Sequence, residues 1–226
     1  MCSRYSLTSP PEAVRATFGY RGQPNFPPRY NIAPTQPIPI VRLDPRGQRE
    51  FVLVRWGLIP SWVKDPKDFA TLINARAETA AEKPSFRNAM KRRRCLIPAD
   101  GFYEWTGARG RKRPFYIHPE DGRVLAFAGL WEHWQGPDGS ELESATILTT
   151  EANAVVAPLH ARMPVILPED AFDAWLDAGR VPPSELAEFL EPAPDALLAA
   201  IEVDPKLNNS RVDEPGVRVP LQGQLL

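Results

Sequence analysis

RCLIPADGFYEW, residues 94–105, is the stretch that decides the fold. It holds two apolar runs separated by the turn pair Asp100-Gly101, an order that predicts a strand, a turn and a second strand. Turn residues recur at short intervals on both sides, which favours antiparallel pairing over alternating strands and helices. The other predicted strands are residues 38–43, 50–56, 114–118, 124–130, 142–149 and 201–203.

Helices are predicted as short elements. Ser9-Pro10-Pro11-Glu12 indicates a helix opening, with Ser9 as possible cap, prolines in the first turn and an early acid, so a short helix to about Phe18 is expected. The proline-rich residues 22–39 are predicted to be largely irregular, because proline removes a backbone donor. From about residue 205 the chain is expected to form an extended polar tail. The remaining predicted helices are residues 85–93, 151–157 with Thr150 as cap, 169–176 and 184–190.

Length and composition exclude several classes of protein. The 226 residues can bury a sizeable core, and no repeat or composition shift divides them, so a single domain over residues 1–226 is expected. No run is apolar and long enough to cross a bilayer, and the N-terminus lacks a secretion signal, so a soluble, cytoplasmic protein without a membrane partner is expected. With only Cys2 and Cys95, no CxxC and no zinc-spaced histidines, we expect neither disulfides nor a metal or other cofactor.

The charge of the chain is asymmetric. Residues 1–118 carry 21 Lys and Arg against 9 Asp and Glu, whereas residues 119–226 carry 6 against 19. The densest basic clusters are residues 91–94 and 109–113. One interpretation is a phosphate-binding surface, since basic patches attract polyanions such as nucleic acids. The alternative is an ordinary solvated face.

Cys2 is the first candidate for chemistry because of its position. Methionine removal is favoured when the second side chain is small, and loss of Met1 would give Cys2 a free α-amine beside its thiol. Such a 1,2-aminothiol closes a five-membered ring on an aldehyde, which no internal lysine or cysteine can do. The alternative is that cysteine is an arbitrary second residue.

Glu104 and His160 are the next candidates. Glu104 lies between Tyr103 and Trp105, and burial among aromatic side chains raises a carboxyl pKa and suits the group to proton transfer near neutrality. The alternative is a glutamate on the solvated face of a strand. His160 has a polar neighbour, Arg162, two residues on, although a lone histidine is more often structural.

Two further segments have the character of a binding site. In LINARAET, residues 72–79, the polar residues Asn74, Arg76 and Glu78 alternate and would share one face of an extended segment. In WGLIPSW, residues 56–62, Trp62 is a candidate stacking platform for a nucleic-acid base. The alternative for Trp62 is packing against its own domain.

Five segments, in this order and spacing, resemble one family. They are the N-terminal MCSR, RYNIAP at residues 29–34, WGLIPSW with NARAET, PADGFYEW at residues 98–105, and HARMPVIL at residues 160–167. Together they are similar to the SOS-response-associated peptidase (SRAP) family of abasic-site processing proteins that form covalent links to DNA. Ser3 is a departure, since the family has glycine there, and its side chain adds bulk beside the nucleophile.

The resemblance implies a fold and a function. The fold would be α+β, with a mainly antiparallel, barrel-like β core and peripheral helices. The protein would take part in the DNA damage (SOS) response and DNA repair, with single-stranded DNA containing abasic sites as its partner, and would associate with the nucleoid when engaged on DNA. Cys2, after Met1 removal, would capture the opened sugar as a thiazolidine and so shield the site from strand cleavage.

The family motifs also imply roles for individual residues. Catalytic roles are expected for Cys2, Asn74, Glu104 and His160: Cys2 as nucleophile, Asn74 to orient the sugar, Glu104 as proton shuttle and His160 in forming and reversing the imine. Contacts with DNA are expected for Arg4, Pro34, Trp62, Arg76 and Arg162. We expect a monomer and no metal ligands.

Two other functions stay open from the sequence. The family name indicates a thiol peptidase, a hydrolase in which Cys2, His160 and Asn74 would form a nucleophile, base and orienting group, with removal of Met1 as the cleavage most readily accepted. A lyase-type activity on the DNA strand belongs with the first hypothesis. The third hypothesis is a module that binds single-stranded DNA without covalent chemistry.

Overall fold

β-Strands dominate the computed structural model, which describes residues 2–22, 24–108 and 110–221. The strands are β1 Tyr5–Leu7, β2 Arg29–Ile32, β3 Pro37–Leu43, β4 Arg49–Trp56, β5 Asn74–Arg76, β6 Arg94–Ala99, β7 Gly101–Thr106, β8 Arg113–Pro119, β9 Leu125–Gln135, β10 Glu141–Glu151, β11 Arg162–Pro164 and β12 Leu198–Glu202. The α-helices are α1 Pro11–Phe18, α2 Ala77–Ala80, α3 Arg87–Arg92 and α4 Phe172–Leu176. None of the helices in the described ranges is long and apolar enough to cross a membrane.

Five strands close into a barrel. Strand β10 pairs with β4, β4 with β3, β3 with β6, β6 with β9, and β9 returns to β10. The pairings are antiparallel except that β10 runs parallel to β4 and to the short strand β5. Strand β11 adds to the free stretch at the end of β10. The predicted fold class, α+β with a mainly antiparallel, barrel-like core and peripheral helices, is confirmed, and the helices are few.

A second sheet, in the order β12-β8-β7-β1-β2, carries the N-terminal strand. The stretch 94–105 forms the two predicted strands, but β6 belongs to the barrel and β7 to the second sheet, so the turn between them is not a hairpin. Asp100, at the crossing point, accepts hydrogen bonds from the hydroxyls of Thr8 and Ser9, each at 2.7 Å. These hydrogen bonds therefore hold Thr8 and Ser9, which follow β1, at the point where the chain crosses between the two sheets.

Aromatic rings fill the space between the barrel and the second sheet. Tyr5 of β1 meets Trp56 of β4 edge-on at a centroid distance of 5.3 Å, and Phe127 of β9 at 6.0 Å. Phe102 of β7 contacts Phe127 at 6.0 Å in the same way. Edge-to-face pairs of this kind add to the free energy of apolar burial. They fix the second sheet, and with it the start of the chain, against the barrel.

Two predicted helices are wrong, and a third prediction holds in part. Residues 22–39 are irregular over most of their described length as predicted, but Arg29–Ile32 forms β2 and β3 begins at Pro37. The helix predicted for residues 151–157 is absent, because β10 continues to Glu151 and the chain then turns. The helix predicted for 184–190 is two short 3-10 turns, Pro183–Glu185 and Ala187–Leu190. Local sequence patterns are a weak guide to these segments, because tertiary context decides between helix, strand and turn.

The C-terminal segment is more structured than the extended tail expected from residue 205. It contains the 3-10 turns Pro205–Asn208 and Pro215–Arg218 and is clamped to β2. The side-chain amide of Asn31 donates to the carbonyls of Leu207, Asn209 and Val212, and Asp213 accepts from the backbone N–H groups of residues 30 and 31. Residues 222–226 lie outside the described ranges.

Two of the four basic residues at 91–94, Arg93 and Arg94, bind groups within the protein. Arg94 is buried and donates to the carbonyls of Met90, Trp175 and Val181, and burial lowers its pKa to about 10. Arg93 forms an ion pair with the buried Glu132 at 2.8 Å. These two arginines are therefore not part of an anion-binding surface.

Gly101 permits the crossing between the sheets. A Cβ atom there would lie 2.4 Å from the carbonyl oxygen of Ile117 and 2.7 Å from the Tyr116 ring. We expect Gly101→Ala to lower the free energy of unfolding by about 2 kcal/mol, the typical cost of overpacking, in urea denaturation. Gly179→Ala, whose nearest contact would be an ordinary 3.6 Å, is the control. An equal effect of the two changes would contradict this role of Gly101.

Candidate active site

Cys2 lies just before β1 and is fully buried. Its thiol donates weakly to the carbonyl of Arg4 at 3.7 Å, and its own carbonyl accepts a hydrogen bond from the Asn74 side-chain amide at 2.8 Å. Burial, and next the negative charge of Glu104, raise the pKa of the Cys2 thiol well above its ordinary value. The thiol is therefore neutral at physiological pH. Met1, whose removal the sequence predicts, lies outside the described residues.

Asn74 reaches Cys2 because β5 is held on both sides. Asn74 pairs with Ile147 in the parallel register of β5 and β10. The preceding carbonyl, that of Ile73, accepts from the indole N–H of Trp56 at 2.9 Å. These contacts fix the backbone from which the Asn74 amide points to the N-terminal segment.

Glu104 comes from β7 and is buried, with 3% of its surface exposed. Burial raises the pKa of its carboxyl, and the positive charge of a protonated His160 acts in the opposite direction. The carboxyl lies within electrostatic range of both Cys2 and His160. The interpretation of Glu104 as a buried acid of raised pKa agrees with this geometry, and its catalytic role stays a prediction.

His160 lies in the turn that leads into β11, and one of its ring nitrogens is fixed. Nδ1 lies 2.9 Å from the backbone nitrogen of Arg162, which donates to it, and 3.1 Å from the Arg162 carbonyl oxygen. The neutral ring therefore carries its proton on Nε2, whereas a protonated ring would donate from Nδ1 to that carbonyl. The ring is oriented in either charge state.

The Arg162 guanidinium is held within the protein. It forms two hydrogen bonds with the Glu78 carboxylate, at 2.6 and 2.8 Å, and its Nη2 also donates to the carbonyl of Thr149. Glu78 does not share a strand face with Asn74 and Arg76 as predicted, because helix α2 begins at residue 77. It turns instead toward Arg162.

Arg4 lines a cleft with a volume of about 720 Å³. Its guanidinium donates to Asn31 Oδ1 at 2.9 Å and to the Leu207 carbonyl at 3.2 Å, and it lies 5.9 Å from the centre of the Trp105 ring. Among the described residues no carboxylate pairs with Arg4, so its charge is available to an outside anion. The cleft is lined by Ser3, Arg4, Trp105, Gly110, Arg111, Lys112, Arg113, Pro205 and Asn208.

The other predicted DNA contacts lie on exposed loops and edges. Trp62 is 58% exposed and rests edge-on against Phe69, at 5.6 Å. Pro34 lies in the turn after β2, which is tied to β4 by a hydrogen bond from Thr35 to the Trp56 carbonyl at 2.9 Å. Arg76 is exposed at the end of β5. Their contacts with DNA stay predictions.

Sequence reasoning missed two parts of this site. Asn208 accepts from the indole N–H of Trp105 at 2.7 Å and donates to the Lys112 carbonyl, so the C-terminal segment shapes the cleft. Nothing in the local sequence signals such a contact. The sequence indicated Glu78 only because it alternates with Asn74 and Arg76. Its ion pair could not be predicted, because the partner, Arg162, lies 84 positions away in sequence.

Comparison with known proteins identifies the family. The sequence profile described as "SOS response associated peptidase (SRAP)" matches residues 1–210. The chain belongs to the SRAP family. The matched range spans the positions of Cys2, Asn74, Glu104 and His160 and of the residues that line the cleft. The resemblance inferred from the five segments is thereby confirmed.

Named relatives of the SRAP chain span bacteria and vertebrates. It is 38% identical over 219 residues to the abasic site processing protein YoqW of Bacillus subtilis, covering 95% of this chain and 97% of that protein. It is 31% identical to the abasic site processing protein HMCES of Xenopus tropicalis, covering 95% of this chain and 77% of that protein.

Solved structures share the SRAP fold. A crystal structure of a protein from Bacteroides thetaiotaomicron matches 97% of this chain and all of that one, with a TM-score of 0.86 and 28% identity. Another, from Bordetella bronchiseptica, matches 90% of this chain with a TM-score of 0.78 and 32% identity.

The raised pKa of Glu104 predicts a pH dependence of stability. An unfolded glutamate titrates near about pH 4.3, so above that pH the folded state holds a proton that the unfolded state has lost. The free energy of unfolding therefore falls as pH rises through this window toward the folded pKa.

We expect Glu104→Gln to flatten that fall, because glutamine does not ionise. Urea denaturation of the wild-type protein and the variant, from about pH 4 to pH 7, measures the slope. Glu214→Gln, at an exposed carboxylate, is the control and should leave the curve of the wild-type protein unchanged. Identical slopes for wild type and Glu104→Gln would contradict the burial of an ionisable Glu104.

Proposed function

We propose that this protein processes abasic sites in single-stranded DNA by forming a covalent crosslink through Cys2 after removal of Met1. The observation that carries the proposal is the placement of Cys2: its carbonyl is held by Asn74, and it lies within electrostatic range of Glu104, which in turn interacts with His160. The names of the relatives YoqW and HMCES, abasic site processing proteins, support the choice of substrate.

The proposed reaction has two bond-forming steps. The ring-opened sugar presents an aldehyde at C1′, and the α-amine of Cys2 adds there and forms an imine with loss of water. The Cys2 sulfur then bonds to the imine carbon while the thiol proton passes to nitrogen, which closes a thiazolidine. Ring closure removes the imine, so neither hydrolysis nor loss of the neighbouring phosphate, which would cut the strand, follows.

An α-amine suits the first step better than a lysine does. Its reference pKa is about 7.7 to 8.0 against about 10.4 for lysine, so near neutral pH it is unprotonated roughly a few hundredfold more often. The Cys2 thiol supplies both the sulfur that closes the ring and the proton that the nitrogen receives.

Glu104 and His160 supply proton transfer in this proposal. A buried carboxyl of raised pKa can both give and take a proton near neutrality, as ring opening and loss of water require. His160, with Nδ1 fixed by the Arg162 backbone, presents Nε2 as the second group for forming and reversing the imine. Asn74 holds the Cys2 carbonyl and so aims the amine.

A thiol peptidase is the less favoured candidate. Catalytic cysteines work as thiolates and have a lowered pKa, near cations or a helix N-terminus. The Cys2 thiol is instead fully buried beside a carboxyl, and its pKa is raised. Cleavage of Met1 by the protein itself would be a single event and needs no sustained turnover, so this self-processing remains part of the proposal.

Covalent capture can be tested with the two cysteines of the chain. We expect Cys2→Ala to abolish the heat-stable adduct with an oligonucleotide bearing one abasic site, because the remaining amine forms only a reversible imine. Cys95→Ala, at the other buried cysteine, should retain the adduct. Denaturing electrophoresis and intact-mass measurement report both the adduct and the loss of Met1.

The other possible results of this experiment distinguish the alternative functions. The same stable adduct from Cys2→Ala would rule out the thiazolidine. Sustained turnover of peptides that is lost in Cys2→Ala would favour the peptidase. Equal binding to intact and abasic strands without a mass change in the wild-type protein would select a non-covalent DNA-binding module.

The basic cleft beside Arg4 predicts where the strand's phosphates bind. Arg111 and Lys112 are exposed in its wall, whereas Arg113 is paired with Glu202. In the Cys2→Ala background, Arg111→Ala with Lys112→Ala should weaken binding of single-stranded DNA. The slope of log Kd against log salt should fall by about 0.7 for each phosphate that the variant no longer neutralises, measured by fluorescence anisotropy.

The control for the cleft is Arg46→Ala, which removes an exposed arginine from the turn between β3 and β4. It should leave the salt slope unchanged. A slope that stays the same in the double variant would show that the cleft does not hold phosphates.

A further inference from the structure

Glu78 and Arg162 form a tightly fitted ion pair beside the candidate site. The guanidinium meets the carboxylate through both Nη atoms, at 2.6 and 2.8 Å, a two-pronged geometry that fixes orientation as well as distance. The Arg162 side chain is 16% exposed and that of Glu78 47%. The guanidinium is thus the inner partner, and the carboxylate reaches it from the surface.

The ion pair crosses the end of β10. Thr149 of β10 pairs with Arg76 of β5 on one side and with Pro164 of β11 on the other. Glu78 follows β5 in the chain, whereas Arg162 opens β11. The pair therefore ties the segment that carries Asn74 to the segment that carries His160, and a hydrogen bond from Arg162 to the Thr149 carbonyl secures it to the strand between them.

The backbone of Arg162 connects this ion pair to the His160 ring. Its backbone N–H donates to Nδ1 of the imidazole at 2.9 Å. A side chain fixed at Glu78 and Thr149 limits movement of the Arg162 backbone, and so of the ring. The second hydrogen on Nη1 is used by neither Glu78 nor Thr149 in these hydrogen bonds.

We propose that Glu78 is a positioning residue of this site, which acts through Arg162 to hold the His160 ring. The proposal rests on the proposed capture of abasic DNA. Glu78 touches neither Cys2 nor the reacting sugar. It sets the geometry in which His160 works, and loss of geometry lowers the rate of the chemical step more than it weakens binding of the strand.

The test separates the chemical step from binding. The rate of covalent capture is measured under single-turnover conditions over a range of concentrations of an abasic oligonucleotide, for the wild-type protein, Glu78→Ala and Glu78→Gln. We expect Glu78→Ala to lower the rate at saturating DNA about tenfold, with the half-saturating concentration changed less than about twofold. Glu78→Gln keeps an oxygen acceptor of the same shape and should lose less.

Glu143→Gln is the matched control. Glu143 pairs with Arg42 at 2.6 Å, and the two side chains are 32% and 13% exposed, against 47% and 16% for Glu78 and Arg162; Arg42 also pairs with Glu50 at 2.7 Å. Removal of the Glu143 carboxylate should leave both the saturating rate and the half-saturating concentration of the wild-type protein unchanged. The comparison separates a positional effect from the general loss of one partly buried ion pair.

A double-mutant comparison shows whether Glu78 acts through Arg162. In the Arg162→Ala background, Glu78→Ala should cause no further loss of the saturating rate. The same loss in both backgrounds, or a Glu78→Ala rate within twofold of wild type, would overturn the proposal. So would an effect on the half-saturating concentration alone, which would mean that Glu78 acts on DNA by charge.

Two further measurements keep the outcome decisive. If Glu78→Ala shows no cooperative thermal transition, the same criteria are applied to Glu78→Gln in the wild-type and Arg162→Gln backgrounds. If the wild-type protein captures no DNA, the proposed function fails. If the wild-type protein captures DNA and the variants do so at its rate, only the positioning role fails.

Discussion

The candidate site depends on the C-terminal end of β10, which pairs with β5 on one side and with β11 on the other. Residues 147–149 of β10 pair with β5 on one side, and residues 149–151 pair with β11 on the other. Backbone hydrogen bonds therefore set the spacing between Asn74 and the turn that bears His160. Asn74 and His160 are 86 positions apart in sequence, and the strands beside them share β10 as a common template. A change in either register would move every side chain on that strand to the opposite face.

The second constraint is the burial of the N-terminal segment between the two sheets. Tyr5 packs against Trp56 and Phe127, Asn74 holds the Cys2 carbonyl, and the second residue of the chain is as buried as a core residue. Its surroundings also set its electrostatics. Removal from water raises the pKa of both the Cys2 thiol and the Glu104 carboxyl, and each therefore tends to keep its proton.

Basic residues that look alike in sequence divide into three groups in the structure. Arg94 and Arg93 complete the core, with backbone carbonyls or Glu132 as partners. Arg162 is held by Glu78 at the site. Arg111 and Lys112 line an open cleft with Arg4. The asymmetry of charge along the chain indicated an anion partner as one hypothesis, but it could not separate these groups, because the partner of each arginine comes from a distant segment.

The sequence by itself determined the strand and turn pattern, the antiparallel class and, through five short motifs, the family. Alternation and turn chemistry are local properties, so β3, β4 and the hairpin of β9 and β10 follow from neighbouring residues. The motifs also named Cys2, Glu104 and His160 before their geometry was known. Only the tertiary structure decided that residues 94–105 divide between two sheets, that residues 151–157 are not a helix, and that Glu78 meets Arg162. Those outcomes depend on pairing, burial and charge contacts between segments far apart in the chain, and the free energy of such contacts is not a property of either segment alone.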